Sequence, residues 1–332
     1  GKTALAVHWA HRVRDRFPDG QLYVNLRGYD PDQPVAPADA LARFLTGLGV
    51  AGPDVPLELE DRAARYRSEV AGRRMLVVLD NAATVEQVRP LLPGTGKCLV
   101  AVTSRDSLAG LVAVDGAHRL DLDLLPPRDA VALLRRLVGE RVDAEPEAAL
   151  TLVDQCARLP LALRVAAELA ASRPAVPLAE LVAELSDRQR RLELLDAGGD
   201  PHAAVRVVFS WSIRRLSPET ARTFRLLGLH PGPDFDPYAA AALADTTLEQ
   251  AGRELEQLVR AHLIHTTAPA RYAMHDLLRI YAIQLVTEED SDTDRQAALT
   301  GCSTATSPPQ PPPWTPSIHP KPIAVRASLH MP

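Results

Sequence analysis

The chain has 332 residues, of which 46% are apolar and 24% charged, with a net charge of −5. This is room for about two or three domains with proper cores, and without a long basic run it lacks the electrostatic footprint of a nucleic-acid binder. Cys98, Cys156 and Cys302 are odd in number and far apart. They fit neither a disulfide framework nor a zinc-ligand spacing, and suit a reducing, cytoplasmic setting. No apolar run reaches the roughly 18 residues of a membrane helix, and no secretion signal is visible. The first residue is Gly rather than Met, which reads as a fragment of something longer.

Residues 3–17 are predicted to be helical, with Leu5, Trp9, Val13 and Phe17 on one face. Residues 21–26 alternate like a strand, and residues 27–34 form a polar turn. Residues 36–48 and 57–70 read as helices. Met75-Leu-Val-Val-Leu-Asp80 is a continuous apolar run ending in an acid, the pattern of a central parallel strand covered on both faces. A short helix over 85–92 follows, then a second buried strand over 98–103 and a third over 118–122. Strands alternating with helices argue for an α/β layer with a parallel sheet.

After Pro126 the chain turns helical and rich in Ala and Leu, over 127–138, 145–158, 161–171 and 178–184. Gly198-Gly199-Asp200-Pro201 is a boundary signal. Residues 203–286 hold four or five further helices, with a small hairpin formed by 263–265 and 271–274, an order that resembles a winged helix. Beyond Thr293 the periodicity dissolves, and the Pro-rich stretch 307–322 is expected to be disordered.

Several residues carry chemistry. Gly1-Lys2-Thr3 before an amphipathic helix fits the end of the phosphate-binding pattern G-x-x-x-x-G-K-[ST]. There, helix N-terminal amides attract phosphate oxygens, Lys2 would reach the β- and γ-phosphates, and the Thr3 hydroxyl would hold Mg²⁺. By itself the triplet is no more than an even wager against an arbitrary boundary. Asp80 at the carboxyl end of a buried strand would complete the Mg²⁺ shell, although Asp-Asn is also ordinary turn chemistry. Thr103-Ser104-Arg105 places an arginine just after another buried strand, suited to sensing a γ-phosphate or simply solvated. Pro160 at a helix start is ordinary N1 chemistry. His275-Asp276 begins a helix, where His can bond a phosphate and Asp favours the N-terminus, or where the pair is simply a capped helix start with one exposed His.

Taken in order, Gly1-Lys2-Thr3, Leu76-Val-Val-Leu-Asp80-Asn81, Thr103-Ser104-Arg105, Arg158-Leu-Pro-Leu161 and Met274-His275-Asp276 resemble the motifs of the NB-ARC module of STAND-class ATPases. The phrases Leu22-Tyr-Val-Asn-Leu-Arg-Gly-Tyr-Asp30 and Leu79-Asp-Asn-Ala82 resemble its SARP/AfsR-like bacterial regulator branch. The resemblance spans about residues 1–290 and implies an α/β fold: a P-loop NTPase parallel sheet with helices on both faces (residues 1–125), a helical domain (126–199) and a winged-helix domain (200–290), then a disordered tail (291–332). It implies that Gly1, Lys2 and Thr3 bind phosphates of ADP or ATP, that Thr3 and Asp80 support Mg²⁺, and that Arg105 reads the γ-phosphate. Pro160 would pack near the adenine, and His275 would contact the β-phosphate of ADP. The module would be closed with ADP, self-associate with ATP, and reset by slow hydrolysis.

Three departures qualify this. The front of the phosphate loop is missing, which would weaken phosphate binding by this fragment. Asn81 stands where many members carry a second acid, and an amide is a poorer base, so hydrolysis is expected to be weak. The tail departs abruptly after Leu299, for which a reading-frame shift is one account. A catalytic ATPase coupling hydrolysis to work, and a DNA-binding winged helix, are the alternatives. Residues 247–259 carry Glu249, Glu254 and Glu256 against Arg253, an acidic balance that would repel phosphates. Leu248, Ala251, Leu255 and Leu258 are expected to pack. Any DNA contact is therefore expected in a segment absent from this chain, and no membrane contact is expected.

Overall fold

In the computed structural model, residues 1–29, 34–195 and 205–304 are described. The Gly198–Pro201 boundary signal, part of the 27–34 turn and the Pro-rich stretch lie outside them. The first part comprises α1 (Lys2–Val13), β1 (Gln21–Asn25), α2 (Pro37–Gly47), α3 (Leu59–Val70), β2 (Leu76–Ala82), α4 (Val85–Val88), β3 (Leu99–Ser104) and α5 (Ala109–Ala113). Its strands form a parallel sheet in the order β1-β2-β3, with Asn25 opposite Asp80 and Leu79 opposite Val102. The apolar run of β2 makes it the central strand, and it is buried at every position but Asn81.

Period-two alternation assigns the two faces of β2. Val77 and Leu79 join Val24, Phe44 and Tyr66 in the core under α2 and α3. Leu76 and Val78 turn the other way, towards Val7 and Ala10 of α1 across a cleft of about 270 Å³. Helices thus cover both faces of the sheet, as the sequence pattern predicts. The expected buried stripe on α1 differs. Leu5 and Trp9 are 48% and 37% exposed, because α1 packs on β2 and β3 and nothing among the described residues covers its outer flank. The expected strand over 118–122 is also absent. That segment is irregular, with Leu120 79% exposed; among the described residues the sheet ends at β3, and the segment has no strand to pair with.

The second part comprises α6 (Pro127–Val138), α7 (Arg141–Ala144), α8 (Pro146–Gln155), α9 (Pro160–Ser172), α10 (Leu178–Ser186), α11 (Arg188–Leu194), α12 (Val205–Ile213), α13 (Pro218–Leu227), β4 (Asp234–Phe235), α14 (Pro237–Ala244), α15 (Leu248–Arg260), β5 (His265–Ala268), β6 (Arg271–Ala273), α16 (Asp276–Glu289) and α17 (Asp292–Thr304). The expected hairpin is β5-β6, widened to three antiparallel strands by β4. Helices preceding and following this sheet give the order of a winged helix. One continuous core runs from Ala130 to Ala298, through the α6–α11 helices and the α12–α17 elements alike.

Two further expectations change. The tail was expected to begin at residue 291, yet α17 continues to Thr304. Ala298 is buried, and a side chain at Gly301 would strike the Ala242 carbonyl of α14 at 2.6 Å. This close helix approach is invisible to periodicity, since it uses small residues. On α15, Leu248 is 43% exposed rather than packed, sitting in the first turn after the Thr247 cap. Glu254 is buried, held by Thr223 Oγ1 at 2.6 Å and Gln250 Nε2 at 2.7 Å. The exposed face of α15 then presents Glu249 and Glu256 against Arg253 and Arg260, which is balanced and not acidic.

Candidate nucleotide-binding site

The site lies where the carboxyl ends of the parallel strands meet the start of α1, the edge of such a sheet at which ligands bind. Asp80 is 2% exposed. Its Oδ1 accepts from Thr103 Oγ1 at 2.5 Å and its Oδ2 from Tyr23 OH at 3.3 Å. Thr103 is a relay, since its oxygen also accepts the Asn81 N–H at 2.9 Å. Next to it, β2 is irregular. Asn81 has φ +56°, a left-handed conformation that Asn tolerates better than most residues. The Asn81 carbonyl accepts the Gly28 N–H at 2.7 Å. The loop after β1 approaches so closely that a Cβ at Gly28 would lie 2.4 to 2.8 Å from backbone atoms of Ala83, Asn81 and Ala82.

Gly1, Lys2 and Thr3 open α1 without a side-chain cap, so the first amides of the helix face outward. Lys2 is exposed over much of its surface, and partial burial penalises its charged form. That desolvation first, and the neighbouring Arg105 second, push its pKa down. Burial also lowers the pKa of Arg105. Lys2 and Arg105 thus bring positive charge to the start of α1, and Arg105 donates to the Val208 carbonyl and to Ser212 Oγ of α12. His262, in the turn after α15, joins them. Burial lowers its pKa, and Lys2 is the next cause.

Pro160 is the first residue of α9, directly after Ala157 and Arg158 in left-handed conformations. His275 is the N-cap of α16, its Nδ1 accepting the Leu278 N–H at 3.3 Å. Its ring packs 5.8 Å from that of Phe209. Burial, with His265 adding to it, holds its pKa down at about 4. His275 thus meets α12 and α16, and α12 also receives the Arg105 side chain.

Two regulatory proteins resemble the chain. It is 47% identical over 304 residues to the regulatory protein AfsR of Streptomyces coelicolor, and 48% identical over 283 residues to that of Streptomyces griseus. The matches cover 90% and 85% of this chain. The chain spans only 30% and 28% of the lengths of these relatives. No family model matches. Among solved structures, the Aeropyrum pernix ORC2 protein in ADPNP–ADP complexes aligns with a TM-score of 0.48 at 17% identity, over 90% of this chain and 85% of its own. The ORC1 protein of the same organism in complex with DNA aligns with a TM-score of 0.37 at 16% identity, over 92% and 84%.

Motif reading singled out Asp80, Lys2 and Arg105 but missed the residues that orient them. Tyr23, Gly28 and Tyr29 lie in and just after an edge strand, and the sequence signal is the Tyr-Val-Asn-Leu-Arg-Gly-Tyr phrase itself. Trp211, Ser212 and Arg215 come from α12 and the turn after it, and no local pattern connects them to a strand end a hundred residues earlier. The described residues contain no cluster of metal-binding side chains, but a nucleotide-bound Mg²⁺ needs only one or two protein oxygens besides phosphate and water. No helix among the described residues is long and apolar enough to cross a membrane.

Proposed function

We propose that the chain is the ADP/ATP-binding switch module of a larger regulatory protein, of the NB-ARC type. The observation that carries this reading is the strand-end arrangement, in which buried Asp80 closes β2, held by Thr103 and Tyr23, with Arg105 directly after β3 and the uncapped start of α1 near it. A triphosphate would be drawn by the α1 amides and Lys2. Mg²⁺, when bound, would neutralise phosphate charge; Thr3 and Asp80 are the residues to hold it, with Thr103 and Tyr23 fixing the Asp80 carboxylate. Pro160, at the head of α9, would flank the base.

The switch reading rests on His275. A ring whose Nδ1 accepts from the α16 backbone carries its proton on Nε2 when neutral, and can donate it to a β-phosphate. ADP would then bind the α/β part and the winged-helix part together, the closed state, while ATP would favour an open state that self-associates. With Asn81 in place of a second acid, hydrolysis is slow and acts as a reset. The regulatory nature of the AfsR relatives supports a role in transcriptional control.

Titration with ADP of the larger regulatory protein that contains this module tests this. Submicromolar binding that falls by more than about ten-fold in both Lys2→Ala and His275→Ala fits the reading. Binding unaffected by His275→Ala would remove the clamp, and binding unaffected by Lys2→Ala would remove the phosphate site.

A further inference from the structure

The two hydroxyls that hold the Asp80 carboxylate do so on unequal terms. Thr103 donates to Oδ1 at 2.5 Å and also accepts the Asn81 N–H at 2.9 Å. It is buried on β3, so it cannot turn away without stranding a backbone donor. Tyr23 donates to Oδ2 at 3.3 Å, beyond the roughly 3.0 Å at which good O–H···O bonds end. It stands on β1, the outer strand of the described sheet, opposite Val78. Its side of the strand is open, and the residue is 52% exposed. Tyr23 also lines the cleft of about 270 Å³ shared with Val7, Ala10 and His11 of α1, which leaves its ring room to move.

Among the described residues the Asp80 carboxylate is held by these two neutral groups and by no lysine or arginine. A buried carboxylate without a cation is costly. Oxygen donors of this kind suit a hard divalent cation such as Mg²⁺. A cation that draws on Oδ2 meets the phenol proton already aimed at that oxygen. Both bring positive charge to one atom, and the longer bond, from the more exposed partner, is the one that yields.

We propose that the Tyr23 hydroxyl is an exchangeable stopper on the Asp80 carboxylate: it satisfies Oδ2 while no divalent cation is present and turns away when one arrives, whereas Thr103 stays bound in both states. Tyr23 is thus a positioning residue that sets the affinity of Asp80 for metal, and it fixes the carboxylate only in the metal-free state. This rests on the metal-binding role given to Asp80 above, but not on a nucleotide being present. The sign of the effect separates a stopper from a simple support. Removing a support weakens metal binding, and removing a competitor strengthens it.

Titration of the larger regulatory protein with Mn²⁺ alone, read by electron paramagnetic resonance, tests this. Tyr23→Phe keeps the ring and is expected to bind Mn²⁺ about three- to ten-fold more tightly, the scale of one neutral hydrogen bond. Asp80→Asn is expected to lose the site. Unchanged or weaker binding in Tyr23→Phe overturns the proposal, and so does Mn²⁺ binding that Asp80→Asn leaves intact. A second readout follows the hydroxyl itself. In wild type labelled with meta-fluorotyrosine, the Tyr23 fluorine resonance is assigned by its absence in Tyr23→Phe. Its solvent-isotope shift is expected to grow when Mg²⁺ is added, and a resonance that does not respond overturns the proposal. Calorimetry with ADP in the absence of metal tests the nucleotide reading separately. If ADP does not bind while Tyr23→Phe still tightens Mn²⁺, the nucleotide reading falls and the stopper stands. If ADP binds and the Mn²⁺ affinity is unmoved, the stopper alone falls.

Discussion

Protonating His275 should destabilise the packing of α12 against α16 from within. In the folded protein its pKa is held at about 4, against an ordinary value of 6.5. The folded state thus resists taking up a proton that the unfolded chain accepts more readily. The stability this contributes is complete above pH 6.5, declines as the pH falls towards 4, and changes no further below that. A separation of this size corresponds to at most about 3 kcal/mol, and less here because water still reaches part of the ring. His275→Asn is the matched control, since Asn is an excellent N-cap and can keep accepting the Leu278 N–H without titrating. Urea midpoints of both proteins, measured between pH 7.5 and 4.5 with slopes compared for each transition, isolate the His275 contribution from those of His230 and His262, whose pKa values are also lowered. The wild type should lose stability more steeply than the variant on acidification. Parallel pH profiles would refute the argument that the ring is buried neutral against Phe209.

Gly28→Ala should lower the thermal midpoint, at a cost of about 1–3 kcal/mol, because the added Cβ meets backbone that cannot swing aside; an unchanged midpoint would show that the loop after β1 is looser than described. Asp80→Asn keeps the shape of the side chain and its neighbours Thr103 and Tyr23, so it should leave folding nearly unchanged while weakening Mg²⁺-dependent nucleotide binding about ten-fold or more; equal binding with and without Mg²⁺ in both proteins would contradict this role. Leu120→Asp should change stability by no more than about 0.5 kcal/mol, as befits a residue 79% exposed in an irregular segment; a large loss would restore the strand expected over 118–122.

The strands and helices around the site were legible because their signals are local. An apolar run closed by Asp80 announces a buried parallel strand, and the hairpin after Leu263 follows from alternation and turn residues. What escaped notice depends on neighbours. The 118–122 run has strand character, but a strand needs a partner, and the described sheet stops at β3. Leu5 and Trp9 have helix-face spacing, but a face is buried only where something covers it. Glu254 reads as a surface acid until Thr223 and Gln250 are seen to enclose it. Within the site, motif spacing located the charged groups, whereas the contacts of Tyr29, Trp211 and Ser212 with Arg105, and of Arg215 with Tyr29, join segments far apart in sequence through contacts with no periodic signature.

The most direct test of a phosphate site at Lys2 and Arg105 is the nucleotide content of the protein purified from its own host, wild type beside Lys2→Ala, measured by chromatography of the heat-released supernatant. The account predicts close to one equivalent of ADP in the wild type and little in the variant. An empty wild type, or equal nucleotide in both, would contradict it.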